Sequence, residues 1–270
     1  ISIIALGLGL MKSIYDHLLE WNHINSDYPF IYYKRFFKLD DVIHEINSIA
    51  TFLREIPSQY IGIYMESSID AIFIYLASIK VKKIPVMLNY FWGNDNLNQV
   101  ISKYGINHII SSWDKKKKIN CTATVYYFEE ILNSSKGCGI PSDFNKNIDF
   151  ESILFTSGTS GDSKAVCLTK KNFLMSSKTW DYELNFKKED RYILCLPVYH
   201  IAGLSIILVV VAFLSAPILN SSEYIHFKHA LEWNYFLGII TFYLLTFLQM
   251  KKNNLFFSNS EFQSLNGNAS

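Results

Sequence analysis

Leu154-Phe155-Thr156-Ser157-Gly158-Thr159-Ser160-Gly161-Asp162-Ser163-Lys164-Ala165-Val166 is the stretch on which the reading of this chain turns. A strand-like apolar run, Ile153 to Phe155, leads into it, and Val166 follows it. The small and hydroxylated residues from Thr156 to Gly161 include two glycines, which let backbone N–H groups turn toward one point. Successive N–H groups of that kind form an anion-binding nest. The threonine and serine hydroxyls beside them can donate to phosphate oxygens. Lys164 adds a point charge suited to a polyphosphate. The candidate cofactor-binding residues are therefore Thr156, Ser157, Gly158, Thr159, Ser160, Gly161 and Lys164. The spacing matches neither a Walker A loop nor GxGxxG. A plain Ser/Thr/Gly connection between two strands has a similar composition. The lysine at this offset and the strand-like flanks favour phosphate.

Upstream of the loop, short apolar strands alternate with helical patterns. Ile14, Leu18, Leu19 and Trp21 predict an amphipathic helix, followed by a hairpin of Phe30–Tyr33 and Phe36–Leu39. Asp40 or Asp41 is the expected cap of a helix with Val42, Ile46, Ile49, Ala50 and Leu53 on one face. Tyr60–Met65, Ile84–Leu88 and His108–Ser111 read as strands. Helices opened by Ser67, Ser68 and Asp70, and spanning Asn94 to Lys103, lie between them. The alternation predicts an α/β fold of layered, mainly parallel sheets with flanking helices. Residues 114–118 read as a solvated lysine-rich loop, and 133–149 as a linker into the phosphate loop.

A length of 270 residues allows one or two domains with a sizeable core. The net charge of +1 implies no nucleic-acid-binding surface. Cys121, Cys138, Cys167 and Cys195 stand far apart, with no CxxC pair, which suggests reduced intracellular thiols and no metal site. Lysine supplies 22 of the 25 basic residues, and Ile, Phe, Tyr and Asn are abundant. That bias follows AT-rich codons, so the expected setting is a bacterial cytoplasm or the stroma of a plastid such as a chloroplast. Residues 1–10 are apolar with no basic segment before them, so they do not read as a signal peptide. Met11 looks like a natural start. On that reading 1–10 is an upstream extension and 11–270 the domain proper.

A second constellation follows the loop: Leu196-Pro197-Val198-Tyr199-His200-Ile201-Ala202-Gly203-Leu204-Ser205. His200 falls at a strand-to-helix junction, where residues often face a pocket. It can hydrogen-bond a carboxyl or acyl oxygen. Gly203 lets the helix start close to a neighbour or a ligand. An isolated histidine of this kind is more often a packed core residue; its pairing with the phosphate loop favours the substrate reading. Ile201–Leu219 carries no charge and is long enough for a candidate membrane span, and Tyr235–Met250 is a shorter one. A fully buried helix of an α/β domain has the same pattern, and Gly203, Ser205, Ser215 and Pro217 favour it. The expectation is a soluble protein without stable membrane insertion.

The loop resembles that of the adenylate-forming superfamily, Thr-Ser-Gly-Thr-Thr/Ser-Gly-x-Pro-Lys-Gly-Val, with Ser163 in place of proline and Ala165 in place of glycine. That superfamily comprises acyl- and aryl-CoA ligases, luciferases and peptide-synthetase adenylation domains. The His200 segment is similar to the Leu-Pro-x-Tyr/Phe-His-Ile-x-Gly-Leu-Ser of o-succinylbenzoate–CoA ligases of menaquinone and phylloquinone synthesis. Where the family usually has Ala-Gly before its proline-containing strand, Lys82 and Lys83 stand here. The resemblance implies an ATP-dependent ligase that joins a small carboxylic acid to coenzyme A through an acyl-adenylate, with ATP, Mg²⁺ and coenzyme A as cofactor and co-substrates. It implies a catalytic role for His200 at the acyl-adenylate, and a substrate pocket beside Tyr199, His200 and Gly203. Phe262–Ser270 resembles a degraded Leu-Leu-Gly-Gly-Ala, after which the family's Tyr-Gly-x-Thr-Glu segment and small C-terminal domain are expected and not found. The chain therefore reads as an incomplete N-terminal AMP-binding domain with the C-terminal part missing. Another acyl- or aryl-CoA ligase, an inactive nucleotide-binding remnant and a membrane-associated protein are the alternatives.

Overall fold

The structure is a computed structural model that describes residues 12–113, 119–133, 150–157, 163–184, 192–213 and 218–220. Its first helix in chain order is α1 (Ile14–Ile24), followed by the hairpin β1 (Pro29–Tyr33) and β2 (Arg35–Lys38) and helix α2 (Leu39–Glu55). Strand β3 (Tyr60–Tyr64) is buried at all five residues. A strand that hides both faces belongs in the middle of a parallel sheet covered on both sides. The six-stranded sheet has the order β6-β5-β3-β4-β7-β8. Its other strands are β4 (Ile84–Met87), β5 (His108–Ser111), β6 (Thr124–Tyr127), β7 (Phe150–Ser157) and β8 (Ser163–Thr169). Every pairing is parallel except the antiparallel β7–β8.

Alternate residues of these strands go to opposite faces. Ile61, Ile63, Met87, Ile110, Leu154 and Val166 enter one core together with α2 and with α3 (Ile69–Lys80). Tyr60, Tyr64, Val86, Ile109, Ile153 and Phe155 enter a second, covered by α4 (Asn94–Tyr104). Helix α3 is buried at every position from Ile69 to Ile79 except Asp70. It is an inner helix, packed against both α2 and the sheet. The chain adds α5 (Phe128–Asn133), α6 (Lys170–Leu184), β9 (Tyr192–Leu194), α7 (Ile201–Phe213) and β10 (Ile218–Asn220). A second, four-stranded sheet has the order β2-β1-β10-β9, with β1, β10 and β9 parallel. The layered, mainly parallel α/β architecture is thus as expected.

Several expectations shift. Helix α2 begins at Leu39 with Lys38 as its N-cap. Asp41 acts from inside the first turn, where its carboxylate accepts the Lys38 N–H at 3.0 Å. Leu39 belongs to the helix and not to the hairpin, and Asn133 to α5 and not to the linker. The uncharged stretch Ile201–Leu219 is not one helix, because Ile218 and Leu219 lie in β10, in register with Ile31 and Tyr32 of β1. Among the described residues no helix is long and apolar enough to cross a membrane. Residues 1–11, 114–118, 134–149 and 221–270, with the expectations placed on them, lie outside the described residues.

The Lys82–Lys83 departure has a concrete geometry. Lys82 lies in the left-handed region, with φ 61°. Its N–H donates to the Ile79 carbonyl at 3.0 Å and the Lys83 N–H to that of Ser78 at 2.9 Å. This is a Schellman close of α3 with lysine where glycine is favoured. Lys83 is buried, its ammonium bonded to the Ile56 carbonyl, and burial pushes its pKa down to about 8. A side chain in the left-handed conformation costs about 1–2 kcal/mol, offset in part by glycine's larger entropy in the unfolded chain. Lys82→Gly is therefore expected to stabilise the protein by about 0.5–1 kcal/mol. Urea denaturation checks this, and a lower midpoint for the variant contradicts it.

Candidate functional site

The parallel strands end at one edge: Tyr64 is in register with Ser111, Ile63 with Met87, and Met87 with Leu154. In open α/β sheets ligands bind outside the carboxyl ends of the strands. Both constellations singled out in the sequence reach this edge.

The loop is carried by the β7–β8 hairpin. Ser157 pairs with Ser163, and Thr156 lies directly across from Lys164. Thr156 is half-buried and Lys164 exposed, so the lysine is free of the core at the hairpin's mouth. Gly158, Thr159, Ser160 and Gly161 lie outside the described residues. The return strand is fixed by Tyr104, whose hydroxyl donates to the Ser163 carbonyl at 3.1 Å and accepts the Ala165 N–H at 3.3 Å. Ala165, at the glycine position of the motif, buries its methyl group in the second core. That packing explains why alanine is tolerated there.

The second constellation lies on the same edge as a turn before α7. The His200 N–H donates to the Pro197 carbonyl at 3.0 Å, and His200's own carbonyl accepts the Leu204 N–H at 3.0 Å. The chain thus turns into helix at His200. Val198 and Tyr199 are buried and His200 is half-buried. Burial lowers the His200 pKa, so the ring is neutral at pH 7 and presents one donor and one acceptor. Burial first, and then the Glu66 carboxylate, raise the Tyr199 pKa. Gly203 packs against the same turn. A Cβ built there would lie 2.5 Å from the Leu196 carbonyl oxygen and 2.6 Å from the Pro197 carbonyl carbon. The glycine is thus required by backbone packing, whatever its place beside a substrate.

Between the two constellations runs a bridge that sequence reasoning missed, Asn89-Tyr90-Phe91-Trp92. Asn89 holds the turn, its side-chain oxygen accepting the Phe91 N–H at 2.9 Å and its carbonyl the Trp92 N–H at 3.0 Å. Trp92 meets Phe155, the residue before Thr156, edge-on at 5.5 Å between ring centroids. Phe91 meets Tyr199 edge-on at 6.3 Å, and Tyr199 meets His200 at 4.7 Å. The Tyr64 hydroxyl donates to the Trp92 carbonyl at 2.5 Å. Phe91 is 76% exposed despite its size. Three consecutive aromatics, Tyr90, Phe91 and Trp92, just past a strand end were the available signal, yet periodicity does not say what such rings face.

The family model described as AMP-binding enzyme matches residues 23–234. The chain belongs to the AMP-binding enzyme family. Among curated proteins it is similar to a 2-succinylbenzoate–CoA ligase of Staphylococcus epidermidis, 30% identical over 173 residues, which are 63% of this chain and 35% of that protein. A 2-succinylbenzoate–CoA ligase of Bacillus cereus is 26% identical over 151 residues, 56% of this chain and 30% of that protein. The chain therefore spans about a third of the length of the curated relatives it matches. Among solved structures it resembles o-succinylbenzoate coenzyme A synthetase (MenE) from Bacillus subtilis in complex with AMP. The TM-score is 0.68 at 18% identity, covering 78% of this chain and 57% of that one. It also resembles the N-terminal subdomain of Klebsiella oxytoca NpsA in complex with 3-hydroxyanthranilyl-AMSN. There the TM-score is 0.65 at 18% identity, covering 77% of this chain and 53% of that one. Likeness at these identities carries the fold. The AMP-binding fold agrees with the layered α/β reading.

Proposed function

We propose that this chain is the adenylating part of an acid–CoA ligase of the 2-succinylbenzoate type, acting in menaquinone or phylloquinone synthesis in a bacterial cytoplasm or a plastid. The observation that carries the reading is the aromatic bridge: through Trp92 and Phe91 it ties the hairpin of Thr156 and Lys164 to the turn of Tyr199 and His200. A phosphate site beside an acyl site is what adenylation needs. The names of the curated relatives support the choice of acid.

In this reaction the substrate carboxylate attacks the α-phosphorus of ATP. The bond to the β-phosphate oxygen breaks, and pyrophosphate leaves. Thr156 to Gly161 supply N–H and hydroxyl donors to the β- and γ-phosphates, and Lys164 offsets their charge. The neutral His200 ring hydrogen-bonds an oxygen of the acyl group, with Tyr199 and Phe91 walling the aryl part. The coenzyme A sulfur then attacks the acyl carbon, the bond to AMP breaks, and the thiol proton leaves to solvent. Mg²⁺, which travels with ATP, neutralises phosphate charge. Among the described residues no group of three or more His, Cys, Asp or Glu could hold it, so no residue is assigned to it.

The test is calorimetric titration of the chain with non-hydrolysable acyl-sulfamoyl adenosines. The o-succinylbenzoyl compound is expected to bind at least about tenfold tighter than the benzoyl or octanoyl compounds. Equal affinity for all three favours another acyl- or aryl-CoA ligase. Binding of none, with the chain folded, overturns the reading.

A further inference from the structure

The turn that carries His200 is held from a distance. Its buried Val198 N–H donates to the Ser67 hydroxyl at 2.9 Å, across 131 residues of sequence. Ser67 follows the end of β3, one residue before the N-cap of α3. The capping task there belongs to its neighbour, since Ser68 Oγ accepts the Ala71 N–H at 3.2 Å. Ser67 is thus released from capping and turned to the 196–200 segment. The same segment is closed from the other side by Gly203, whose missing side chain lets α7 rest on the Leu196 and Pro197 carbonyls. The His200 N–H, bonded to the Pro197 carbonyl, closes it internally.

We infer that Ser67 is a positioning residue: by accepting the Val198 N–H it fixes where Tyr199 and His200 stand at the carboxyl edge of the sheet. Only what His200 does there rests on the proposed function; the positioning is a matter of geometry. The side chain must be short and must accept. Alanine keeps the space but leaves a buried N–H without its partner, whereas threonine keeps the hydroxyl. Ser67 lies between β3 and α3 and Val198 just before α7, so neither belongs to the β7–β8 hairpin proposed to take the nucleotide.

Amide hydrogen exchange at Val198, followed by NMR on the full chain, reads the bond directly. In the unmodified chain Val198 is expected to be protected. Ser67→Ala should speed its exchange about tenfold relative to the β3 amides, and Ser67→Thr should restore it. In parallel, Ser67→Ala should weaken the o-succinylbenzoyl-sulfamoyl adenosine about tenfold and leave AMP affinity unchanged, a split that a general loss of stability does not produce. An unprotected Val198 in the unmodified chain overturns the inference even if the alanine variant fails to fold. So does an alanine variant with both readouts unchanged. If Val198 behaves as expected and no acyl analogue binds, the positioning stands and the ligase reading alone fails.

Discussion

Gly203→Ala is expected to destabilise the protein by about 3 kcal/mol, the cost of forcing atoms into a packed site. The sign is what makes this informative. Gly203 lies in the first turn of α7, and a glycine-to-alanine change in a helix normally gains up to about 1 kcal/mol. Here the new methyl would lie 2.5 Å from the Leu196 carbonyl oxygen and 2.6 Å from the Pro197 carbonyl carbon. Those are backbone atoms, so no flexible side-chain end can swing aside. Either α7 lifts away, exposing Leu204, Ile207 and Leu208 from the first core, or the Leu196–His200 turn moves and breaks the bond from Val198 to Ser67. The midpoint of urea unfolding measures the effect, with Gly203→Ser as a second variant carrying the same clash. A midpoint equal to or above that of the parent chain means that the helix does not rest on the turn.

How much of this could be read from the chain differs by element. The strands at Tyr60, Ile84 and His108 and the helices between them are marked by local apolar runs and caps, and they stand where the pattern placed them. Helix α6 was not legible: it opens on Lys170-Lys171-Asn172 and has no strong apolar stripe. Strand β6 was missed because it is short and only half-buried. The four-stranded sheet joins Ile31 to Ile218, a pairing no local period announces. The site shows the same division. The hairpin and the His200 turn have their own residue signatures. Tyr104, Trp92 and Ser67 act on them across long sequence separations, through a single hydroxyl or ring each, and nothing in their immediate neighbours marks that. The Ser67-Ser68-Asp70 pattern announces a helix start, but the side-chain cap comes from Ser68.

His200→Ala is expected to weaken o-succinylbenzoyl-sulfamoyl adenosine about tenfold, the worth of one good hydrogen bond in a half-buried site, and to leave AMP affinity unchanged. The separation follows from the layout: His200 stands on the α7 turn, whereas Thr156 and Lys164 face each other on the hairpin. The pH dependence supplies a second, ligand-free readout. Burial lowers the His200 pKa below its ordinary 6.5, so the folded chain favours the neutral ring and the unfolded chain takes up the proton first. The stability linked to this group is complete above about pH 6.5 and is lost as the pH falls toward the folded-state value. His17 and His108 are lowered by burial too and contribute with the same sign, so the parent chain alone does not isolate His200. His200→Gln does, because glutamine keeps a donor and an acceptor and does not titrate. Its melting temperature should fall less than the parent's between pH 7 and pH 5, and its analogue affinity should stay closer to the parent's than the alanine variant's. Parallel melting curves across that range would show that the ring is solvated in the folded chain, and a buried neutral donor could not then be what holds the acyl group.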